Sequence, residues 1–147
     1  MHSGTKLPKK HMYIILISLS VMILSMSIET MMRVKDITLF DLWYQGQSDL
    51  SREAGYNIYV TGSLSYFFQR VIVPMALGIH TYFAYTKIRV NKLFVFMWTV
   101  LLGGGLAYNL IAFQLGSLFY YINNILFIIL IVTVLSLIGV INKNKGL

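Results

Sequence analysis

Four apolar runs, each about as long as a membrane-crossing helix, constrain this chain more than any other feature of its sequence. They cover approximately 12–30, 66–86, 93–113 and 118–141, and each is bounded by charged or turn residues. The hydrocarbon core of a bilayer is about 30 Å thick, so a spanning helix needs about 20 mostly apolar residues. The first run is slightly short unless Glu29 to Met32 continue it. None alternates polar and apolar residues, which disfavours a membrane β-barrel. Backbone groups in lipid must be satisfied within their own segment, so the runs are expected to be helical.

Composition supports this solvent assignment. Of 147 residues, 57% are hydrophobic and 12% charged, against about 25% charged in ordinary soluble domains. The length fits one domain, 1–147, and the expected fold is an all-α integral membrane protein: a four-transmembrane-helix bundle. An external segment at approximately 31–65, loop or short interfacial helix, joins the first two spans. With no cysteine, disulfides, thiolate metal sites and cysteine nucleophiles are all excluded.

Charge placement sets the expected topology. Lysine and arginine total 12 against five acids, a formal charge of +7, and all five acids fall between Glu29 and Glu53. Lys6, Lys9 and Lys10 precede the first run, Lys87, Arg89 and Lys92 link the second to the third, and Lys143 and Lys145 follow the fourth. By the positive-inside rule these segments face the cytoplasm, so both termini are expected there and the protein in the cell membrane. Short basic clusters between apolar runs match a membrane, and no nucleic-acid partner is expected. A competing reading starts from the basic tail, the first apolar run and Ser25-Met26-Ser27, which share the outline of a signal peptide and its small-residue cleavage site. Serine is poorer than alanine there, so a retained span is the expectation.

The external segment is too long for a tight connection and is expected to hold local structure. Asp36 can cap a short helix from Ile37 to Tyr44, with Ile37, Phe40 and Tyr44 at helical spacing and Gly46 as a stop. A second turn is expected from Asp49 to Ala54, ended by Gly55. Trp43, Tyr44, Tyr56, Tyr59, Tyr66, Phe67 and Phe68 suit a headgroup layer.

Polar residues inside apolar runs are expensive and therefore the place to look for function. Arg70 with neighbouring Gln69, then Asn109, then Asn123 and Asn124 lie about one turn inside the outer ends of the last three runs, and Glu29 marks the outer end of the first. Converging, they would form an outward-facing polar cup. Its plain explanation is a Glu29–Arg70 clamp with asparagines bonding between helices; its functional one is an anion site on Arg70. His80, a weaker candidate, lacks a second in-membrane histidine or a carboxylate at its depth, so a hydrogen-bonded core histidine is expected rather than a haem ligand or proton relay. Gly103-Gly104-Gly105 with Ala107, and serines at seven-residue spacing in the first run, suggest close helix packing.

No phosphate loop, nucleophile elbow, HExxH pattern or intramembrane carboxylate pair is present. No catalytic residue, metal or cofactor is therefore expected. The first expectation is a non-enzymatic accessory, regulatory or immunity-type membrane protein, surrounded by the lipid bilayer and assembling with a membrane-protein partner or its own copies. The alternative is a subunit of a transporter or channel using the cup around Arg70, and the third a lipid-modifying enzyme.

Overall fold

The computed structural model describes residues 4–47, 49–111 and 116–143. Its helices are α1 (Lys9–Lys35), α2 (Ile37–Tyr44), α3 (Arg52–Thr86), α4 (Lys92–Ile111) and α5 (Leu118–Lys143). Among the described residues the only extended pairing is a single bridge between Thr5 and Val90. The described residues thus form an all-helical fold. Residues 112–113 of the expected third span, residues 114–115 of the following link, and Lys145 lie outside the described residues.

α1, α4 and α5 are each long and apolar enough to cross a membrane. α3 falls short of that measure, because Gln69, Arg70, Pro74 and His80 interrupt its apolar stretch. α1 does continue through Glu29 to Lys35, removing the shortfall at its end. It is also the most enclosed of the three apolar helices, packing against α3 on one side and α5 on another, while α4 packs on α5. α3 and α4 touch only sparsely, which leaves a gap on that side of the bundle.

Hydrogen bonds fix which ends lie together. Thr5 and Val90 exchange two backbone bonds of 2.8 Å, joining the N-terminal tail to the α3–α4 link. His11 of α1 and Ser136 of α5 are 2.9 Å apart. Lys6, Lys9, Lys10, Lys87, Arg89, Lys92 and Lys143 therefore share one end of the bundle, and all five acids lie toward the other.

At the acidic end Asp36 makes a corner. Its backbone N–H closes α1 on the Met32 and Arg33 carbonyls, and its side chain accepts from the Thr38 and Leu39 amides to start α2. The expected helix from Ile37 to Tyr44 is present, with that cap. The expected turn over Asp49 to Ala54 is not: Ser51 caps α3 through the Ala54 amide, and α3 runs straight through Gly55. Gly55 is a notch rather than a stop, since a Cβ there would lie 2.8 Å from the Tyr44 ring.

α3 has 35 residues, about 52 Å at about 1.5 Å per residue, against a hydrocarbon thickness of about 30 Å. Its first part extends past the other long helices and forms a head with α2. Phe40, 3% exposed, is the hub: it stacks on Tyr44 at 5.5 Å and meets Tyr56 and Tyr59 edge-on at 5.3 and 5.6 Å. These aromatics pack on one another. Tyr56 and Tyr59 also donate to the Val34 and Arg33 carbonyls, which lie in the last turn of α1, where carbonyls lack a helical partner. Burial pushes the Tyr59 phenol above its ordinary pKa, against the lowering effect of Arg33, so it remains a donor.

The outward surface is apolar over much of the molecule. Ile17 and Leu24 on α1, Phe96 and Val100 on α4, and Ile125 and Val132 on α5 are all exposed. On α3 the exposed Phe68, Ile72, Met75, Ile79 and Tyr82 recur at three- and four-residue steps, forming one continuous stripe. Above that stripe polar residues join the exposed positions, Arg52, Glu53, Asn57, Thr61 and Ser65, beside the exposed Tyr56, Ile58 and Leu64.

Candidate functional site

Of the six residues expected to form a cup, four join in one hydrogen-bonded chain that crosses all four long helices. Arg70 Nη1 of α3 donates to Glu29 Oε2 of α1 at 2.8 Å, and both side chains are more than nine-tenths buried. Arg70 Nη2 donates to Asn109 Oδ1 of α4 at 2.9 Å. Asn109 Nδ2 then donates to Asn124 Oδ1 of α5 at 2.9 Å. The amide orientations follow from chemistry: guanidinium has only donors, so Asn109 must turn its oxygen to Arg70 and its nitrogen to Asn124.

The local sequence explains why each group points inward. Glu29 follows Met22, Ser25 and Met26 along the buried face of α1, and Arg70 precedes Val71, Pro74 and Leu77 on that of α3. Pro74, four residues after Arg70, lacks the N–H that would otherwise bond the Arg70 carbonyl. Tyr66, one turn before Arg70, completes the setting. Its ring lies 5.2 Å from the Arg70 guanidinium and 5.8 Å from that of Arg33, an arrangement favoured by the ring quadrupole. The sequence reading put Tyr66 only among interfacial aromatics; its four-residue spacing from Arg70 was the available signal.

Gln69 and Asn123 stand apart. Gln69 is exposed on α3, at the edge of a cavity of about 380 Å³ that opens sideways between α3 and α4. Asn123 is fully buried, yet neither amide atom has a partner. The buried Ser25 hydroxyl of α1 is also without one. The adjacent asparagines, about 100° apart around α5, thus have opposite situations.

His80 accepts the Trp98 indole N–H at Nδ1, 3.0 Å away, and meets the Phe94 ring edge-on at 4.9 Å. An indole only donates, so the imidazole is neutral with its proton on Nε2. Among the described residues, no three side chains of the metal-binding types converge.

Two cavities flank the charged pair. The sideways one touches Arg70 and Asn109. An outer vestibule of about 920 Å³ is lined by Glu29, Arg33, Asp36, Tyr59 and Phe119 among others. The Glu29–Arg70 bond is where they approach each other. With Arg70 neutralised by Glu29 and held by Asn109, the chemistry available is structural: a buried ion pair extended by amides, tying the bundle together at one level.

The expected close packing at the triple glycine is present at one of its three positions only. A Cβ at Gly103 or Gly104 would meet nothing within 4 Å; only at Gly105 would it strike a neighbour, the Phe127 ring at 2.8 Å. The serines of α1 do not act alike either. Ser18 and Ser25 are buried, whereas Ser20 and Ser27 bond back to the Leu16 and Ile23 carbonyls. No family model matches the chain, and no curated protein or solved structure is significantly similar to it.

Proposed function

We propose that the chain is a four-span protein of the cell membrane, with both termini in the cytoplasm. The second half of α3 is the fourth span. Its continuous apolar stripe supports this, as does its alignment with α1 through the buried pair, because a polar group inside lipid needs an internal partner. Seven basic residues without an acid at one end, against Arg33, Lys35 and Arg52 accompanied by the acids at the other, support the orientation.

Within that membrane we infer a non-enzymatic accessory or regulatory role, in which the outer head of α2 and the first part of α3 engages a membrane-protein partner. The observation that carries it is closure of the charged network. The side chains that would bind a substrate anion bond each other instead: Arg70 is paired with the Glu29 carboxylate through Nη1 and bonded to Asn109 through Nη2. The firmly packed head is the part presented outward, with Leu42 and Ile37 each 65% exposed on α2.

Photo-crosslinking in cells tests this. A photoreactive residue at Leu42 is expected to give one discrete protein adduct, while the same residue at Ile17 of α1 gives none. Adducts at neither position, or equally at both, would remove the head from the mechanism.

A second reading, a transporter or channel subunit, is favoured by the outer vestibule ending on Glu29. Flux through liposomes holding the purified protein distinguishes the two. The accessory reading expects no flux above empty liposomes; flux abolished by Arg70→Gln in a still-folded protein would establish the other.

A further inference from the structure

The sideways cavity between α3 and α4 has an order that the clamp does not use. Away from the head its lining is apolar, with Met26 and Phe127 at its buried wall and the exposed Val100 and Leu101 at its lipid-facing edge, and the absent side chains of Gly104 and Gly105 give it width. Its polar lining, Gln69, Arg70, Tyr108 and Asn109, is all at the end nearer the head. At about 380 Å³ it reaches the size range of small-molecule sites, about 300–1,000 Å³. The gap arises because α3 and α4 meet so little. We propose that this slot holds one acyl chain of a bilayer lipid from the outer leaflet, whose uncharged, hydroxyl-bearing head bonds Gln69 and Tyr108.

Three observations fix that occupant. Polar end outward and apolar end inward is the orientation of an outer-leaflet lipid, and the inference rests on the four-span reading for that frame. Apolar cavities stay dry and take apolar ligands, and a cavity opening into hydrocarbon meets acyl chains first. The head is uncharged because the only cation in the lining, Arg70, is already neutralised by Glu29; an anionic head would have to break that bond. Asn109 is committed at both amide atoms. The polar side chains left at the mouth are therefore the Gln69 amide and the Tyr108 phenol, neutral groups that both donate and accept.

The glycines supply a matched pair of variants. Gly103 and Gly104 both have open space around a new Cβ, and leucine is a better helix former than glycine. Only Gly104 lines the slot. In phosphatidylcholine proteoliposomes, a monoacylglycerol with a photoreactive group in its chain is expected to label wild type and Gly103→Leu alike, on residues of the slot. Gly104→Leu and Val100→Phe occupy the same space and are expected to lower labelling about tenfold or more. Equal labelling of Gly104→Leu, with the protein still resistant to alkaline carbonate extraction, would overturn the slot alone. Stronger labelling by a photoreactive phosphatidylglycerol would overturn the uncharged head. Release of wild type by carbonate would overturn the slot and the four-span reading together.

Discussion

Removing the Arg70 guanidinium leaves the Glu29 carboxylate buried without its counter-charge, and removing both charges leaves two neutral groups. The account therefore predicts an asymmetry: Arg70→Gln destabilises by about 3–5 kcal/mol, whereas Glu29→Gln combined with Arg70→Gln recovers most of the loss. Unfolding titrations of the single and double variants in detergent measure it; additive losses would argue against a pair. The two asparagines of α5 give a second contrast. Asn124 satisfies Asn109, so Asn124→Leu orphans a buried amide at a cost of about 1–3 kcal/mol. Asn123 bonds nothing, so Asn123→Leu is expected to be neutral or stabilising in the same titration. The sequence located the level at which Glu29, Arg70, Asn109 and Asn124 meet, because ionised and amide side chains stand out within apolar runs. It did not separate Asn123 from Asn124, since a one-residue step around a helix becomes a difference in partner only after the helices dock. Nor did it show that the triple glycine borders a gap, because glycine is equally compatible with close approach and with empty space.

Among the elements, α2 and α3 carry the clearest local logic. Asp36 was legible as a cap before a short amphipathic run, and that helix forms. Hydrogen bonds from the Thr38 hydroxyl and the Leu39 amide hold its carboxyl below the ordinary carboxylate range. A carboxyl lowered in the folded state stabilises fully above its unfolded pKa and loses that contribution as pH falls through the lowered folded value. Protection of the α2 amides, taken relative to the intrinsic exchange rate at each pH, should therefore be higher at neutral pH than in acid, and Asp36→Ala should be low at both. Equal pH dependence in Asp36→Ala would contradict the cap. The extension of α3 back to Arg52 was not legible, because Gly55 read as a stop while the packing of Tyr44 against it was invisible. Gly55→Val is predicted to push Tyr44 aside and loosen α2 by about 1–3 kcal/mol, the usual cost of overpacking, observed as a lower melting temperature.

For the whole molecule, the proposed arrangement has hydrocarbon around four helices rather than three. α1, α4 and α5 announce themselves by hydropathy. α3 does so only weakly: its run at approximately 66–86 reads as a span, but Gln69, Arg70, Pro74 and His80 depress its average. The exposed stripe from Phe68 to Tyr82 replaces average hydropathy as the argument. It needs the structure, because sequence alone does not say which face of a helix looks outward. The absence of cysteine provides a clean background for the direct test, accessibility of single introduced thiols to a membrane-impermeant maleimide in intact and permeabilised cells. The account predicts that Asn57→Cys reacts in intact cells, Ile88→Cys only after permeabilisation, and Ile79→Cys in neither state. Ready reaction at Ile79→Cys, or reaction at Asn57→Cys and Ile88→Cys from the same side, would contradict it.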